Sequence, residues 1–541
     1  MIKNQAPVKI LLIAPLVDTN VTRDNCFGTP GDNTKIVQTI SISIATVAAF
    51  VPDDFDVQVC DEAIHDIDFA CDADIIGITA NVVQATRAIE IAKIFRAQGK
   101  KIVMGGLHVS LAPEYFCDYA DAIVVGELES VADQLFSDMR SGNLQPRYYG
   151  SKTDLKNSPA PRWDLFPHDH VLIGSVQISR GCPYDCSFCS VVQYLGHKQR
   201  HKDSPQVLSE IQTLYDYGYT NIYLSDDNLT AHKNRAYDII SAIKEWNGAQ
   251  GRDWIVFAAQ ASIDLAEKKD LATLCHQAGI LDVFVGFETS NKKALAECDK
   301  KQNLEVNPVD HCYTLVKTGL RVEPGLIVGF DSDDHSTFQE QFDFFMQLPV
   351  GGIRTSLLIA PITTRLYKEM KKNNRIVSED LKDHALSDTF STNILPAQMS
   401  RADLYIGYLW LNSRLYHPDN FLSRLDLLAE NLAPPPWIGH ENTSRRMRPQ
   451  TTVLASTFMR DVMRKVPMAS KIIKHASWLI KKNPELKSGI NSMLQRYLID
   501  LRIHTMKGLY HHDWVNYSTP PFGIKEGDER LEMIRTADGV G

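Results

Sequence analysis

Arg180-Gly-Cys-Pro-Tyr-Asp-Cys-Ser-Phe-Cys-Ser190 follows directly on a strand-like run, Val171 to Ser179, and sets Cys182, Cys186 and Cys189 at C-x3-C-x2-C spacing. Three thiolates on a loop leaving a strand can each take one iron of a four-iron cluster and leave the fourth iron without a protein ligand. Structural iron–sulfur and zinc sites normally close all four positions, so a three-cysteine loop with no fourth cysteine nearby points to chemistry. Blander readings stand beside this one. A transient zinc site or chance spacing would give the same three residues. Ten cysteines in 541 residues is an ordinary count, and Cys60, Cys71, Cys275 and Cys312 read as buried apolar fillers.

Downstream of the loop the chain repeats a strand–helix unit. Candidate strands are Ser175–Ser179, Asn221–Ser225, Trp254–Ala259, Asp282–Gly286, Gly325–Gly329 and Thr355–Ile359, with helices such as Pro205–Tyr217 and Arg235–Trp246 between them. Six units predict a partial (β/α)6 TIM-like barrel, whose functional groups gather at the carboxyl ends of the strands. Those ends are polar: Ser225-Asp226-Asp227-Asn228, Gln260 and Ser262, Glu288-Thr289, and Asp331. Taken singly, each acid has the commoner reading of a helix cap.

Upstream, the strand patterns Val8–Ala14, Phe55–Cys60, Asp74–Thr79, Lys101–Met104 and Ala122–Val125 alternate with helical ones such as Ala85–Gln98. This is the pattern of a doubly wound α/β sheet, with a ligand expected at the carboxyl ends of its strands. Thr79, Gly105-Gly106 with His108, and Gly126-Glu127 with Glu129 occupy those ends, and the glycines there would let backbone approach a large ligand. No G-x-G-x-x-G follows the first strand, which weakens a nicotinamide reading.

These residues together resemble the cobalamin-dependent radical S-adenosylmethionine (SAM) enzymes. Phe188 before the last cysteine fits the cluster signature, and Gly105-Gly106-x-His108 through Pro113-Glu114 and Gly126-Glu127-x-Glu129 look like the cobalamin-binding domain. Asp226-Asp227-Asn228, Gly286-Phe-Glu-Thr289, Lys300-Lys-Gln-Asn303, Gly329-Phe-Asp-Ser-Asp333, Ala360-Pro361 and Thr364-x-Leu366-Tyr367 narrow the likeness to the subgroup that includes the hopanoid C-methylases, over residues 8 to about 425.

The resemblance implies a [4Fe-4S] cluster on Cys182, Cys186 and Cys189, with SAM on its open iron and a cobalamin. Asp226 and Asp227 stand where the SAM amino group is usually held, though the common Gly-Gly-Glu is missing, and Gln260, Ser262 and Glu288 stand where ribose and methionine contacts are common. Thr79, Gly105, Gly106, His108, Gly126 and Glu127 are the expected cobalamin contacts. The Asp-x-His-x-x-Gly motif that gives cobalt a histidine is absent from Pro15-Leu-Val-Asp-Thr-Asn-Val-Thr22, and His108 reads as a locally bonded histidine rather than a ligand. The implied reaction is reductive cleavage of SAM to a 5'-deoxyadenosyl radical, hydrogen removal from an unactivated carbon, and methyl transfer from methylcobalamin. A flavodoxin or ferredoxin is the implied reductant. Non-methylating cyclisation, rearrangement or oxidation is the rival outcome, and a non-catalytic corrinoid or electron carrier is a second.

The expected domains are 1–150 (cobalamin-binding), 151–375 (radical SAM barrel) and 376–541 (mainly helical). A 44% hydrophobic and 23% charged composition is that of a globular protein. The start lacks a signal peptide's apolar stretch, and neither Val8–Pro15 nor Ile36–Val51 has the length or apolarity of a membrane span. A cytoplasmic protein is expected, where clustered cysteines favour metal over disulfide. The net charge of −9 conceals a basic segment: Arg445 to Lys507 holds fourteen Lys and Arg against Asp461, Glu485 and Asp500. Within it Ile472, Ile473, Ala476, Leu479 and Ile480 form an apolar stripe flanked by Lys471, Lys474, Lys481 and Lys482. A docked helix is the first reading and peripheral contact with a membrane or an anionic substrate the second. A nucleic-acid partner is disfavoured, because no aromatic-rich recognition motif accompanies the charge. Pro434-Pro-Pro-Trp437 reads as a linker.

Overall fold

The computed structural model describes residues 7–16, 37–377, 392–438 and 444–523. The first sheet is built from β1 (Val8–Ala14), β2 (Phe55–Asp61), β3 (Ile75–Thr79), β4 (Lys101–Gly105), β5 (Ala122–Val125) and β6 (Arg147–Tyr149). Its order is β2-β1-β3-β4-β5-β6, and every pair is parallel. A parallel sheet needs cover on both faces. Leu11, Ile13, Ile76, Ile78, Ile102 and Met104 pack under helix Ala85–Ala97 on one side. The other side faces helices Ile42–Ala48 and Ala132–Ser141. Strand β6 has no counterpart in the sequence pattern, because Arg147-Tyr148-Tyr149 is too short to show alternation.

The second sheet is the open barrel. It comprises β7 (Gly174–Gln177), then β10 (Asn221–Ser225), β11 (Val256–Ala261), β12 (Ile280–Glu288), β13 (Arg321–Val328) and β14 (Arg354–Leu357), all parallel, with β7 and β14 at its two edges. Between β7 and β10 a short antiparallel hairpin, β8 (Ser179–Arg180) with β9 (Arg200–His201), carries the cysteine loop. Outward residues such as Ile222, Leu224, Phe257 and Val285 are fully buried under helices, whereas inward Tyr223, Ala258, Gln260 and Phe284 keep some exposure. The bore is therefore not the packed core of a closed barrel.

The remaining described chain is mostly helical. Helix Arg401–Leu415 is buried all round, and helices Pro449–Lys465 and Lys487–Met506 reach across the amino ends of β10, β11 and β12, where Asn221, Val256 and Asp282 share a cavity with Phe458, Met459 and Arg496. The basic segment thus lies at the end of the barrel opposite the cysteine loop. Its helix Ala469–Lys482 docks through Ile472, Ala476 and Leu479, with Ile473 and Ile480 at the margin. Pro434–Trp437 is less free than a linker. Trp437 is buried, its ring 6.3 Å from that of Trp254, because so large an apolar surface anchors where it lands.

Candidate active site

The cysteine loop is held from three sides. The amide of Gly181 donates to Asp227 Oδ2 at 2.8 Å, and that of Cys182 donates to the Gly196 carbonyl at 3.2 Å. Ser187 donates to the Cys298 carbonyl and accepts from the Leu366 amide, each at 3.0 Å. Phe188 turns outward against Phe330, with ring centroids 6.5 Å apart. Gly181 has φ +100°, and a Cβ there would lie 2.8 Å from the Lys198 carbonyl oxygen, so the turn into Cys182 admits only glycine.

Every described cysteine is a free thiol. Burial pushes the thiols of Cys182 and Cys186 up, and that of Cys189 up to about 11. All three lie within electrostatic reach of the Lys300 ammonium. Among the described residues no three His, Cys, Asp or Glu side chains converge closely enough to hold a single metal ion. A cluster does not need such convergence, because each thiolate takes an iron of its own.

The residues at the carboxyl ends of the barrel strands, the mouth of the barrel, are engaged as follows. Glu288 ends β12 at φ +65° and accepts from Lys300 Nζ at 2.6 Å. Burial works against the Lys300 charge, and Glu288 and Cys186 more than restore it, holding the amine above the usual lysine range. Gln260 donates to the Tyr223 hydroxyl at 2.8 Å, and Ser262 accepts from Asn228 Nδ2. Asp226 is enclosed, and burial pushes its carboxyl up to about 6. Its two oxygens are taken by Ser179 Oγ at 2.7 Å, the Asn228 amide at 2.9 Å and Gln199 Nε2 at 3.1 Å. Burial also raises Asp227. Asp331 leaves the mouth altogether for a bidentate pair with Arg375, both contacts 2.7 Å.

Between the first sheet and the cysteine hairpin lies a largely apolar cavity of about 290 Å³. Thr79, Gly105, Gly106, Gly126 and Glu127 line it from the sheet side, and Gln177, Arg180, Tyr194 and Leu195 from the barrel side. Two of the glycines also have a packing role. A Cβ on Gly106 would meet Thr79 Oγ1 at 2.7 Å and one on Gly126 the Gly150 carbonyl oxygen at 2.2 Å, so both permit close backbone packing. His108 does not line the cavity. It is 3% exposed, with its ring edge-on to Phe116 at 5.6 Å. Most of the loop after β1, with Val17 to Thr22 of the missing histidine motif, lies outside the described residues.

Glu127 joins the first sheet to the cysteine hairpin. Its buried carboxylate takes both ends of the Arg200 guanidinium, one at 2.7 Å, with the Thr153 amide at 3.0 Å and Arg180 at 3.3 Å. Arg180 also meets Glu129 at 2.7 Å. Burial raises the Glu127 carboxyl, and Arg200, the Thr153 amide and Arg180 outweigh it, leaving it below the usual range. Arg200, Gln199 and the fourth cysteine, Cys298, escaped the sequence reading. Cys298 is buried within electrostatic reach of Cys186, but its thiol donates to the Leu295 carbonyl at 3.5 Å and burial pushes it up to about 12. The signal was present, since Cys298 stands two residues before the Lys300–Asn303 run. Of the presumed fillers, Cys71 is only partly buried.

Comparison with known proteins agrees with this geometry. Residues 176–345 match the radical SAM superfamily, and residues 364–495 match a domain of unknown function (DUF4070). The hopanoid C-2 methylase of Rhodopseudomonas palustris (strain TIE-1) is 27% identical over 394 residues, covering 71% of this chain and 72% of its own. The bacteriochlorophyllide d C-8(2)-methyltransferase of Chlorobaculum tepidum is 26% identical over 431 residues, 72% of this chain and 90% of its own. Among solved structures, the cobalamin-dependent SAM radical enzyme OxsB with aqua-cobalamin bound aligns with TM-score 0.58 at 15% identity, over 98% of this chain and 84% of that one. The methyltransferase TsrM from Kitasatospora setae, with cobalamin and a [4Fe-4S] cluster bound, gives 0.57 at 14%, over 91% and 99%. The chain carries a radical SAM domain, is homologous to C-methyltransferases, and shares the fold of the cobalamin-dependent radical SAM enzymes OxsB and TsrM.

Proposed function

We propose that the protein is a cobalamin-dependent radical SAM C-methyltransferase acting on an unactivated carbon of a small-molecule or lipid-like substrate. One observation carries the reading: three free thiols sit on a pinned loop whose flanking residues Arg180, Tyr194 and Leu195 line an apolar cavity, and the opposite wall of that cavity is the doubly wound sheet. The donor set fits a cluster with one open iron, and the cavity fits the apolar part of a large ligand whose remainder lies at the mouth. When bound, the cluster and SAM supply radical generation and the cobalamin supplies the methyl group.

The chain's own residues bind and orient. Cys182, Cys186 and Cys189 hold the cluster, while Asp227, Gln260, Ser262 and Glu288 face SAM, with Lys300 fixing the Glu288 carboxylate. Asp226, its oxygens already taken, supports that wall from behind. Thr79, Gly105, Gly106, Gly126 and Glu127 shape the cobalamin cavity, and the buried His108 backs it without reaching cobalt. Residues 1–150, 151–375 and 376–541 are the corresponding cobalamin, radical SAM and helical domains. A low-potential flavodoxin or ferredoxin supplies the electron, and the protein works in the cytoplasm.

The test is to measure both SAM-derived products in one anaerobic reaction with substrate. Methylation yields 5'-deoxyadenosine and S-adenosylhomocysteine together. Deoxyadenosine alone would favour a non-methylating radical outcome, and neither product a non-catalytic carrier.

Among the described residues no helix is long and apolar enough to cross a membrane. Peripheral contact is a separate part of the proposal. With its apolar stripe docked, helix Ala469–Lys482 leaves Lys471, Lys474, Lys481 and Lys482 exposed around Trp478, itself 53% exposed. A lysine face around one aromatic suits an anionic bilayer surface. Changing the four lysines together to Gln keeps helix propensity while deleting four charges. We expect that variant to lose co-sedimentation with phosphatidylglycerol vesicles, as the wild type does in added salt, and to cleave SAM unimpaired. Equal sedimentation of variant and wild type would leave only the docked helix.

A further inference from the structure

The carboxyl end of β10 presents two adjacent carboxylates to the cysteine hairpin, and they do different work. Asp226 is spent on Ser179, Asn228 and Gln199, which fasten β10 to the hairpin strands and their flank. Asp227 reaches past them. Its Oδ2 accepts the amide of Gly181, the residue immediately before Cys182, and the carboxylate lies within electrostatic reach of the Cys182 sulfur.

We propose that Asp227 is a positioning residue that lowers the reduction potential of the iron–sulfur group held by Cys182, a proposal that rests on the radical SAM reading. Hydrogen bonds to cluster sulfurs and nearby net charge are the protein's two main controls on such a potential. Asp227 acts on both. By claiming the Gly181 amide it withholds a donor from the adjacent thiolate, and by its own charge it disfavours adding an electron to the cluster. Each effect holds the potential low, the direction in which a reduced cluster drives reductive cleavage hardest.

The experiment is a redox titration of the reconstituted cluster by electron paramagnetic resonance in the absence of SAM, with iron and sulfide assayed on the same samples. Asp227→Asn keeps the size and an acceptor oxygen and deletes the charge. It is expected to hold iron at the wild-type level and shift the midpoint to a less negative potential. Asp227→Glu retains the charge and is expected to stay near the wild type, and Asp226→Asn is expected to leave the midpoint unmoved, because Asp226 faces the hairpin rather than the loop. Because SAM is absent, contact between Asp227 and SAM cannot produce the shift. An unmoved midpoint in iron-replete Asp227→Asn overturns the proposal, and so does an equal shift in Asp226→Asn. If Asp227→Asn loses its iron, retention by Asp227→Glu supports the positioning role and loss from both overturns it. Wild-type protein that takes up no cluster overturns the radical SAM reading, and this proposal with it.

Discussion

Replacing Cys182, Cys186 and Cys189 together by Ala is expected to remove the iron and labile sulfide from anaerobically reconstituted protein and to abolish SAM cleavage. The three thiols are the only cysteines on the loop, and the backbone that presents them is fixed by Asp227, Gly196, Cys298 and Leu366. Cys298, outside the loop, lies within electrostatic reach of Cys186, and it offers no substitute. It is 2% exposed, its thiol is pushed up to about 12 by burial, and it donates to its own helix at Leu295. That thiol would have to give up its bond to Leu295 to ligate a metal. Cys298→Ala should accordingly leave the iron content at the wild-type level. Iron and sulfide retained by the triple variant would show that the cluster sits elsewhere and would remove the basis of the proposed function.

What the sequence makes legible here is whatever is encoded locally. The cysteine loop can be read because its three ligands fall within eight consecutive residues, and most strands can be read because runs such as Val8–Ala14 and Asn221–Ser225 are apolar over enough residues to show a pattern. Pairings made by tertiary structure are not encoded that way. Nothing near Glu127 announces that its partner is Arg200, and without that partner a Gly-Glu at a strand end reads as a ligand contact rather than as a bond between the first sheet and the hairpin. The same holds for Asp226 and Asp227, whose acidity is visible but whose engagement with Ser179, Gln199 and Gly181 depends on how the hairpin folds back. The glycines at 106 and 126 follow the same logic. Their need for positive φ is a local property, but what fills the space beside them is Thr79 and Gly150, brought there by neighbouring strands.

Glu127→Ala should be the most destabilising single change at the junction of the first sheet and the cysteine hairpin, costing about 3–5 kcal/mol, the range for removing one partner of a buried ion pair. The carboxylate is 3% exposed and its principal partner Arg200 is 12% exposed, so little solvent screens the pair and little replaces it. The loss leaves the Arg200 guanidinium with only the Thr153 and Leu195 carbonyls, deprives the Thr153 amide of its acceptor and weakens the hold on Arg180, which enters the cysteine loop. Glu127→Gln keeps the volume and one acceptor oxygen and should cost less. Because a chain with several structural units need not unfold in one step, the readout is the first transition in urea, together with proteolytic nicking of the segment from 178 to 201. The same carboxylate predicts a pH dependence. Its folded pKa lies below the usual value, so the stabilisation it confers is complete above the unfolded pKa of about 4.3 and drains away as pH falls through the folded value. Wild-type protein should therefore lose stability on acidification below about pH 4.3 more steeply than Glu127→Ala, with the difference between them shrinking as the pH drops. Parallel pH profiles for the two proteins, or a first transition unmoved by the substitution, would mean that the first sheet and the hairpin are held together by their apolar contacts and that the Glu127–Arg200 pair adds nothing to them.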